Sequence, residues 1–282
     1  MPAEKKYPFF SIVTPVLDGV VHVPAYARTL SMQEFQDWEA IVVVDGSSDG
    51  TYEALLDIAS RDSRFRVLKN RSPRSFPGPW KARNIGLDES RGKYICFLDI
   101  DDQWLPCKLA VHHRRLTVNV GLGLIVSPYF RACFDRVNSL ALRTPPNPAL
   151  FRLYLSVANP IPILTACVKR DLLSDLRFKP VRHEDFLFWH DLVFRLNSSQ
   201  MLVEREPLAI YRIDSSSLSG NKLRSCVWIW KCYRHIGYSP PIACLALAAR
   251  GLLQLWLLFS QRIRDQIAVC VKTEIESMAR NS

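Results

Sequence analysis

Ala40-Ile41-Val42-Val43-Val44 is an unbroken apolar run that stops on an acid, Asp45, and passes straight into the turn residues Gly46-Ser47-Ser48-Asp49-Gly50. A strand reads this way when helices cover both of its faces, as in a parallel sheet. The same pattern recurs on either side. Phe9 to Pro15 reads as a buried strand ending in a turn, and Lys93 to Leu98 as another that runs into Asp99-Ile100-Asp101-Asp102. Between them lie helical spacings over Val23–Phe35, with Pro24 suited to a first turn, and over Thr51–Ser60 and Trp80–Ser90. Phe65–Leu68 is a short strand, and a Pro- and Ser-rich loop fills Asn70 to Pro79. Strand and helix alternating at this spacing predict an α/β sheet with right-handed crossovers.

Beyond residue 105 the pattern predicts a helix over Cys107–Val118, strand structure within Leu122–Phe134 and a mobile loop over 138–148, which holds three prolines. A strand over Leu164–Lys169, a helix over Glu184–Leu196, a strand over Leu208–Ile213 and two or three helices within 220–280 complete the chain. The expected organisation is a domain over 1–219, its halves meeting near residue 105, with a helical region over 220–282.

In an open α/β sheet ligands bind outside the carboxyl ends of the strands. Asp45 follows one strand there, and Asp99, Asp101 and Asp102 follow another. Three carboxylates within four residues repel one another unless a cation joins them. Hard oxygen donors in a loop suit Mg²⁺ or Mn²⁺, usually shared with phosphates of a substrate. A solvated acidic turn capping the next helix is the plainer alternative.

Taken with their order, these segments resemble family 2 glycosyltransferases of the GT-A fold. The resemblance rests on Ser11-Ile12-Val13-Thr14-Pro15-Val16, on Ile41 to Thr51, on Lys81-Ala82-Arg83-Asn84-Ile85-Gly86-Leu87 and on Phe97 to Pro106. His183-Glu184-Asp185-Phe186-Leu187-Phe188-Trp189 resembles the family's ED segment. Tyr211-Arg212-Ile213, Ser217-Leu218-Ser219 and Asn221 to Arg234 resemble a bacterial branch that builds lipopolysaccharide, capsule and teichuronic-acid chains. Two departures stand out: Val44 takes the place of an acid, and Leu17-Asp18 takes the place of Tyr-Asn after the first strand, removing a stacking partner for a base.

The resemblance implies a GT-A, Rossmann-like mixed sheet and inverting transfer from a nucleotide sugar, with uridine the expected base. The acceptor would be a hydroxyl of a growing cell-surface polysaccharide or a lipid-linked glycan. Pro15, Asp45, Arg83, Asp99 and Asp102 would bind the donor: Asp45 the base N–H, Arg83 phosphate oxygens, Asp102 the donor or acceptor sugar. Asp101, assisted by Asp99, would hold Mn²⁺ or Mg²⁺. Asp185 would be the general base, supported by Glu184. Adjacent helical residues point about 100° apart, so only one of that pair can face the site. For Arg83 a surface ion pair is the competing assignment. A nucleotidyltransferase would need a glycine-rich loop after the first strand, and Thr14 to Gly19 is not one. A catalytically degenerate membrane scaffold for polysaccharide synthesis is the non-enzymatic alternative.

Net charge is +10, concentrated towards the C-terminus. No nucleic-acid-binding motif accompanies it, so nucleic acid is not an expected partner. The opening residues have no apolar stretch behind them, so a cytoplasmic protein is expected. Ile242 to Phe259 is strongly apolar but carries Arg250 near its middle. Its Ala243, Ala246, Arg250, Gln254 and Gln261 form a small or polar stripe, with Leu245, Leu252, Leu255, Trp256 and Phe259 around the rest. That pattern suits a helix lying on the inner face of an anionic membrane; burial against the catalytic domain is the alternative. In the preceding helix Leu223, Val227, Trp230 and Tyr233 form an expected packing stripe. None of the eight cysteines forms a CxxC pair, which points to buried structural thiols. His112 and His113 read as surface or hydrogen-bonded histidines.

Overall fold

The computed structural model describes residues 7–70, 78–133, 139–213, 222–253 and 255–256. Its central sheet has seven strands: β1 (Phe10–Val16), β2 (Trp38–Val44), β3 (Phe65–Lys69), β4 (Tyr94–Phe97), β6 (Leu124–Val126), β9 (Cys167–Lys169) and β10 (Met201–Val203). They run in the order β10-β6-β9-β4-β1-β2-β3. β1 pairs in parallel with both β2 and β4, while β9 lies antiparallel to β4 and to β6. Every residue of β1, β2 and β4 is buried, as unbroken apolar strands require when both faces are covered. The register sets Val16 opposite Val44 and Val13 opposite Phe97. The carboxyl ends of β1, β2 and β4 therefore share one rim, which carries Asp45 and the Asp99–Asp102 turn.

Helices α1 (Val23–Ser31), α2 (Thr51–Arg61), α3 (Trp80–Glu89) and α4 (Lys108–Val118) supply the crossovers, and α6 (Glu184–Arg195) follows the short α5 (Phe151–Leu155). The close fit of α3 on β1 needs Gly86, because a Cβ there would lie 2.4 Å from Val13 Cγ1. α1 stops at Ser31, short of the expected Phe35. Gln33 closes its end instead: its Nε2 donates to the Thr29 and Leu105 carbonyls, and its Oε1 accepts from the Leu109 N–H.

A second sheet of four strands was not expected. It runs β5 (Gln103–Trp104), β11 (Ala209–Ile213), β7 (Tyr129–Cys133), β8 (Ser139–Arg143). β8 lies inside the segment expected to be a loop. Its alternating Ser-Leu-Ala-Leu-Arg pairs antiparallel with β7, from Tyr129 opposite Arg143 to Cys133 opposite Ser139. The prolines 145, 146 and 148 lie just after it, where they end the strand rather than prevent it. The expected strand over Leu164–Lys169 opens as a 3₁₀ turn, Ile163–Thr165, and only Cys167–Lys169 joins the sheet.

The C-terminal part forms α7 (Lys222–His235) and a further helix, α8, over residues 240–253. Ile229, Cys232, Tyr233, Ala243 and Ala246 are buried in the same cluster as Phe97, Phe186 and Trp189. Of the expected packing stripe on α7, Trp230 and Tyr233 do pack against the core, whereas Val227 is 54 % exposed and Ile229 and Cys232 face inward in its place. On α8 the small residues Ala243 and Ala246 meet the body of the protein, while Ile242, Leu245 and Leu252, and beyond it Leu255 and Trp256, point outward. Among the described residues no helix is long and apolar enough to cross a membrane. Residues 257–259 of the apolar stretch, Gln254, and the Ser217–Ser219 and Asn221 motifs lie outside the described residues.

Candidate active site

The rim is built from loops that lock onto one another. After β1, Asp18 takes a left-handed conformation, φ 47°, and its Oδ1 accepts from the Ser48 N–H at 2.8 Å. Gly19 N–H donates to Thr51 Oγ1 at 2.9 Å and Val20 N–H to Asp49 Oδ2 at 3.0 Å. Gly50, at φ 89°, supplies the left-handed step that lets the turn enter α2. These bonds hold Asp45 at the end of β2, with its N–H on the Val16 carbonyl and its Oδ1 accepting from Asn70 Nδ2 at 2.6 Å. Pro15 is buried within β1, opposite Val43. Leu17, where an aromatic residue was missed, is 46 % exposed.

Arg83 does not face solvent, and it is not a surface ion pair. It is 4 % exposed, deep between α3 and the ends of the strands. Its Nη2 donates to both carboxylate oxygens of Asp99, at 2.8 and 3.0 Å, and its Nη1 to Glu184 Oε1 at 2.6 Å. Both groups offered to it as partners are therefore acids of this protein. Two further bonds tie α3 to the segment before α6: Asn84 Nδ2 donates to the Phe178 carbonyl at 2.9 Å, and its Oδ1 accepts from the Phe178 N–H at 2.8 Å.

Glu184 and Asp185 open α6, where acids are favoured by the helix dipole. They diverge as adjacent helical positions must. Glu184 turns inward to Arg83 and is buried; Asp185 is half-buried, and its Oδ2 accepts from Asn159 Nδ2 at 2.8 Å. His183 ahead of them sits at φ 58°. The C-terminal helices brace this corner. Ser225 Oγ lies 3.4 Å from His183 Nε2, Cys232 Sγ donates to the Arg182 carbonyl, and the Tyr233 hydroxyl and Arg250 both donate to the Val157 carbonyl, two residues before Asn159.

Asp102 is also withdrawn from the rim surface. It is 2 % exposed, and its Oδ1 accepts from the Arg212 N–H at 3.0 Å, tying the turn after β4 to β11. Burial first, then the charges of Asp99 and Asp101, push its carboxyl well above the usual carboxylate range. Burial likewise pushes Glu184 up to about 7 against the pull of Arg83. Tyr211, from β11, feels the same acids: burial and then Asp102 raise its phenol to about 12.

The rim thus gathers Asp99, Asp101, Asp102, Glu184 and Asp185 around one buried guanidinium. The donors are all oxygen, the type a hard divalent cation takes, although among the described residues no three of these carboxylates converge to within 4.8 Å of one another. Asp99 gives both oxygens to Arg83. The sequence reading does not single out Asn159, and it names Tyr211 only within a motif, not as a site residue. Asn159 lies before a proline in the stretch outside the family resemblance, and only its contact with Asp185 reveals it.

Residues 11–169 match the family model described as glycosyl transferase family 2. An uncharacterised glycosyltransferase of Haemophilus influenzae is 30 % identical over 227 residues, 80 % of this chain and 88 % of the relative. The Escherichia coli protein named UDP-Glc:alpha-D-GlcNAc-diphosphoundecaprenol beta-1,3-glucosyltransferase WfgD is 26 % identical, covering 78 % of this chain and 83 % of the relative. Among solved structures, S. aureus TarS in complex with UDP-GlcNAc superposes with a TM-score of 0.65 at 16 % identity, over 86 % of this chain and 71 % of the other. The Pyrobaculum calidifontis mannosyltransferase PcManGT, in complex with GDP-Man and Mn²⁺, gives 0.61 at 18 % identity, over 89 % and 71 %. These superpositions show a shared GT-A fold.

Proposed function

The chain belongs to glycosyltransferase family 2, and from that footing we propose that it transfers a sugar, with inversion, from a nucleoside-diphosphate sugar to a hydroxyl of a lipid-linked cell-surface glycan. UDP is the expected nucleotide. The names of relatives such as WfgD support the acceptor class. The observation that carries the reading is the Asp99–Arg83–Glu184 bridge, which joins the acidic turn after β4 to the start of α6, where Asp185 sits half-buried on Asn159.

Asp45 and Asn70 would meet the base at the end of β2. Leu17 offers an aliphatic surface where a ring would otherwise stack. Asp101, with Asp99, would hold Mn²⁺ or Mg²⁺, which when bound supplies positive charge for the diphosphate that departs. Arg83 holds Asp99 aimed through both carboxylate oxygens. Glu184 acts through Arg83 as a positioning residue, and Asp102 positions β11 and Tyr211 beside the acidic turn. Asp185 takes the proton from the acceptor hydroxyl through a carboxylate that Asn159 orients. Cell-surface glycans made on a lipid carrier bring the acceptor to a membrane. The outward Leu245, Leu252, Leu255 and Trp256 of the C-terminal helices suit docking on an anionic cytoplasmic leaflet.

Thermal-shift screening against nucleotide sugars with Mn²⁺, followed by turnover on polyprenyl-diphosphate glycans, tests the proposal. Stabilisation by a uridine nucleotide sugar and transfer of its sugar are expected. No response to any nucleotide sugar would refute it.

A further inference from the structure

The face of the central sheet opposite Phe97 holds an unusual group of side chains. Cys96 on β4 and Cys167 on β9 are direct cross-strand partners in the antiparallel ladder. α4 packs over them and presents Lys108 and His112, one helical turn apart. All four residues are fully buried. Their apolar surroundings include Leu109, Leu116 and Ile125.

His112 is the anomaly. Neither ring nitrogen has a hydrogen-bond partner, although the residue is 0 % exposed. A buried polar group left unsatisfied costs about 1–3 kcal/mol, and such groups in native proteins call for an explanation. One ring nitrogen and the two Sγ atoms lie within 4.8 Å of one another. Ligands each about 2.3 Å from a common centre lie about 4 Å apart, so shifts of less than about 1 Å would bring all three onto one ion. Burial holds the imidazole neutral, the form that ligates, with Lys108 adding to the effect.

We propose that Cys96, His112 and Cys167 form a buried site for a soft monovalent metal ion, Cu(I), sealed between the central sheet and α4. Thiolate and imidazole donors select soft metals over Mg²⁺ or Mn²⁺. Three protein ligands in a pocket closed to water fit a three-coordinate ion, whereas structural zinc takes four. Burial lowers the Lys108 ammonium to about 8 and holds the Cys167 thiol well above its ordinary range, so the ion displaces the thiol protons as it binds. The ammonium is fixed there by the Thr165 carbonyl at 3.1 Å and by the Trp104 ring, whose centroid is 5.1 Å away. The ion would cross-link β4, β9 and α4, stiffening the strand that ends in the acidic turn.

The test uses the full chain with Cys107, Cys133, Cys226, Cys244 and Cys270 replaced by Ser, kept reduced. Cu(I) is titrated against a competing chelator, both on the native protein and on protein refolded from urea with the ion present, because the site is closed. One Cu(I) per chain, two sulfur and one nitrogen scatterers by X-ray absorption, and a raised melting temperature are expected. His112→Leu should fold at least as stably without metal, since it removes an unsatisfied polar group, yet lose affinity by more than the roughly 10–100-fold that loss of an outer partner costs. Cys167→Ser gives the same loss by a second route. Absence of stoichiometric Cu(I) after both loadings overturns the site, as does binding unchanged in both variants. Zn²⁺ held as tightly by the same residues overturns its assignment to a monovalent ion.

Discussion

Arg83 and Glu184 are 101 positions apart in sequence and joined at 2.6 Å in space. With its other nitrogen on Asp99, Arg83 makes one unit of the acidic turn after β4 and the first turn of α6. In the proposed reaction the donor side and the acceptor side of the site are thus linked through a single buried guanidinium. Arg83→Met should leave two inward-facing carboxylates without a partner and cost about 3–5 kcal/mol in urea unfolding at pH 8. Arg83→Lys should recover little of that, because an ammonium cannot span both acids. A loss under about 1 kcal/mol for Arg83→Met would show that the bridge does not hold the two halves together.

Glu184 gives this bridge a pH dependence. Its carboxyl is raised from 4.5 to about 7, chiefly by burial. Between those values the folded chain holds a proton that the unfolded chain has released, so its contribution to stability is complete below about pH 4.5 and is lost as pH rises through 7. Glu184→Gln should flatten the stability profile across this window and narrow the gap between pH 5 and pH 8. Parallel profiles for parent and variant would contradict the assignment.

Metal dependence should rest on Asp101. Calorimetric titration with UDP should show strong binding in Mn²⁺ and little in a chelator. Asp101→Asn should abolish the difference with a melting temperature close to the parent's. Asp99→Asn should weaken metal-dependent binding and also destabilise, since it breaks the Arg83 pair. Equal Mn²⁺-dependent affinity in Asp101→Asn and the parent would remove this residue from the donor site.

The outward face of the C-terminal helices predicts binding to anionic liposomes that weakens in high salt. Leu245→Ser/Leu252→Ser/Trp256→Ser should abolish flotation without loss of the melting transition, because these side chains are 60–70 % exposed. Flotation that survives the triple substitution would assign membrane contact to another part of the chain.

Much of this was legible in the sequence, and the exceptions have physical causes. β1, β2 and β4 declared themselves because both-face burial demands unbroken apolar runs ending at the ligand rim. β8 was hidden because its Ser-Leu-Ala-Leu-Arg is short and stands beside three prolines, although its antiparallel partner β7 ends only a few residues before it. Arg83 looked like a surface or phosphate-facing residue because one sequence cannot show two acids converging on it from positions 99 and 184. His112 looked ordinary for the same reason: its burial comes from β4 and β9 beneath it, not from its own helix. Asn159 has no local signal at all.

The proposed chemistry turns on Asp185. It stands half-buried at the start of α6, held through Oδ2 by Asn159. Asn159→Ala should lower kcat with little change in donor KM, and do so less than loss of the carboxylate itself. The most direct measurement is the turnover of Asp185→Asn beside its Kd for the donor nucleotide in Mn²⁺. A fall in kcat on the order of 10²–10⁴ with donor affinity within about twofold of the parent is expected of a lost general base. Turnover near the parent's, or a loss of donor binding equal to the loss of rate, would contradict it.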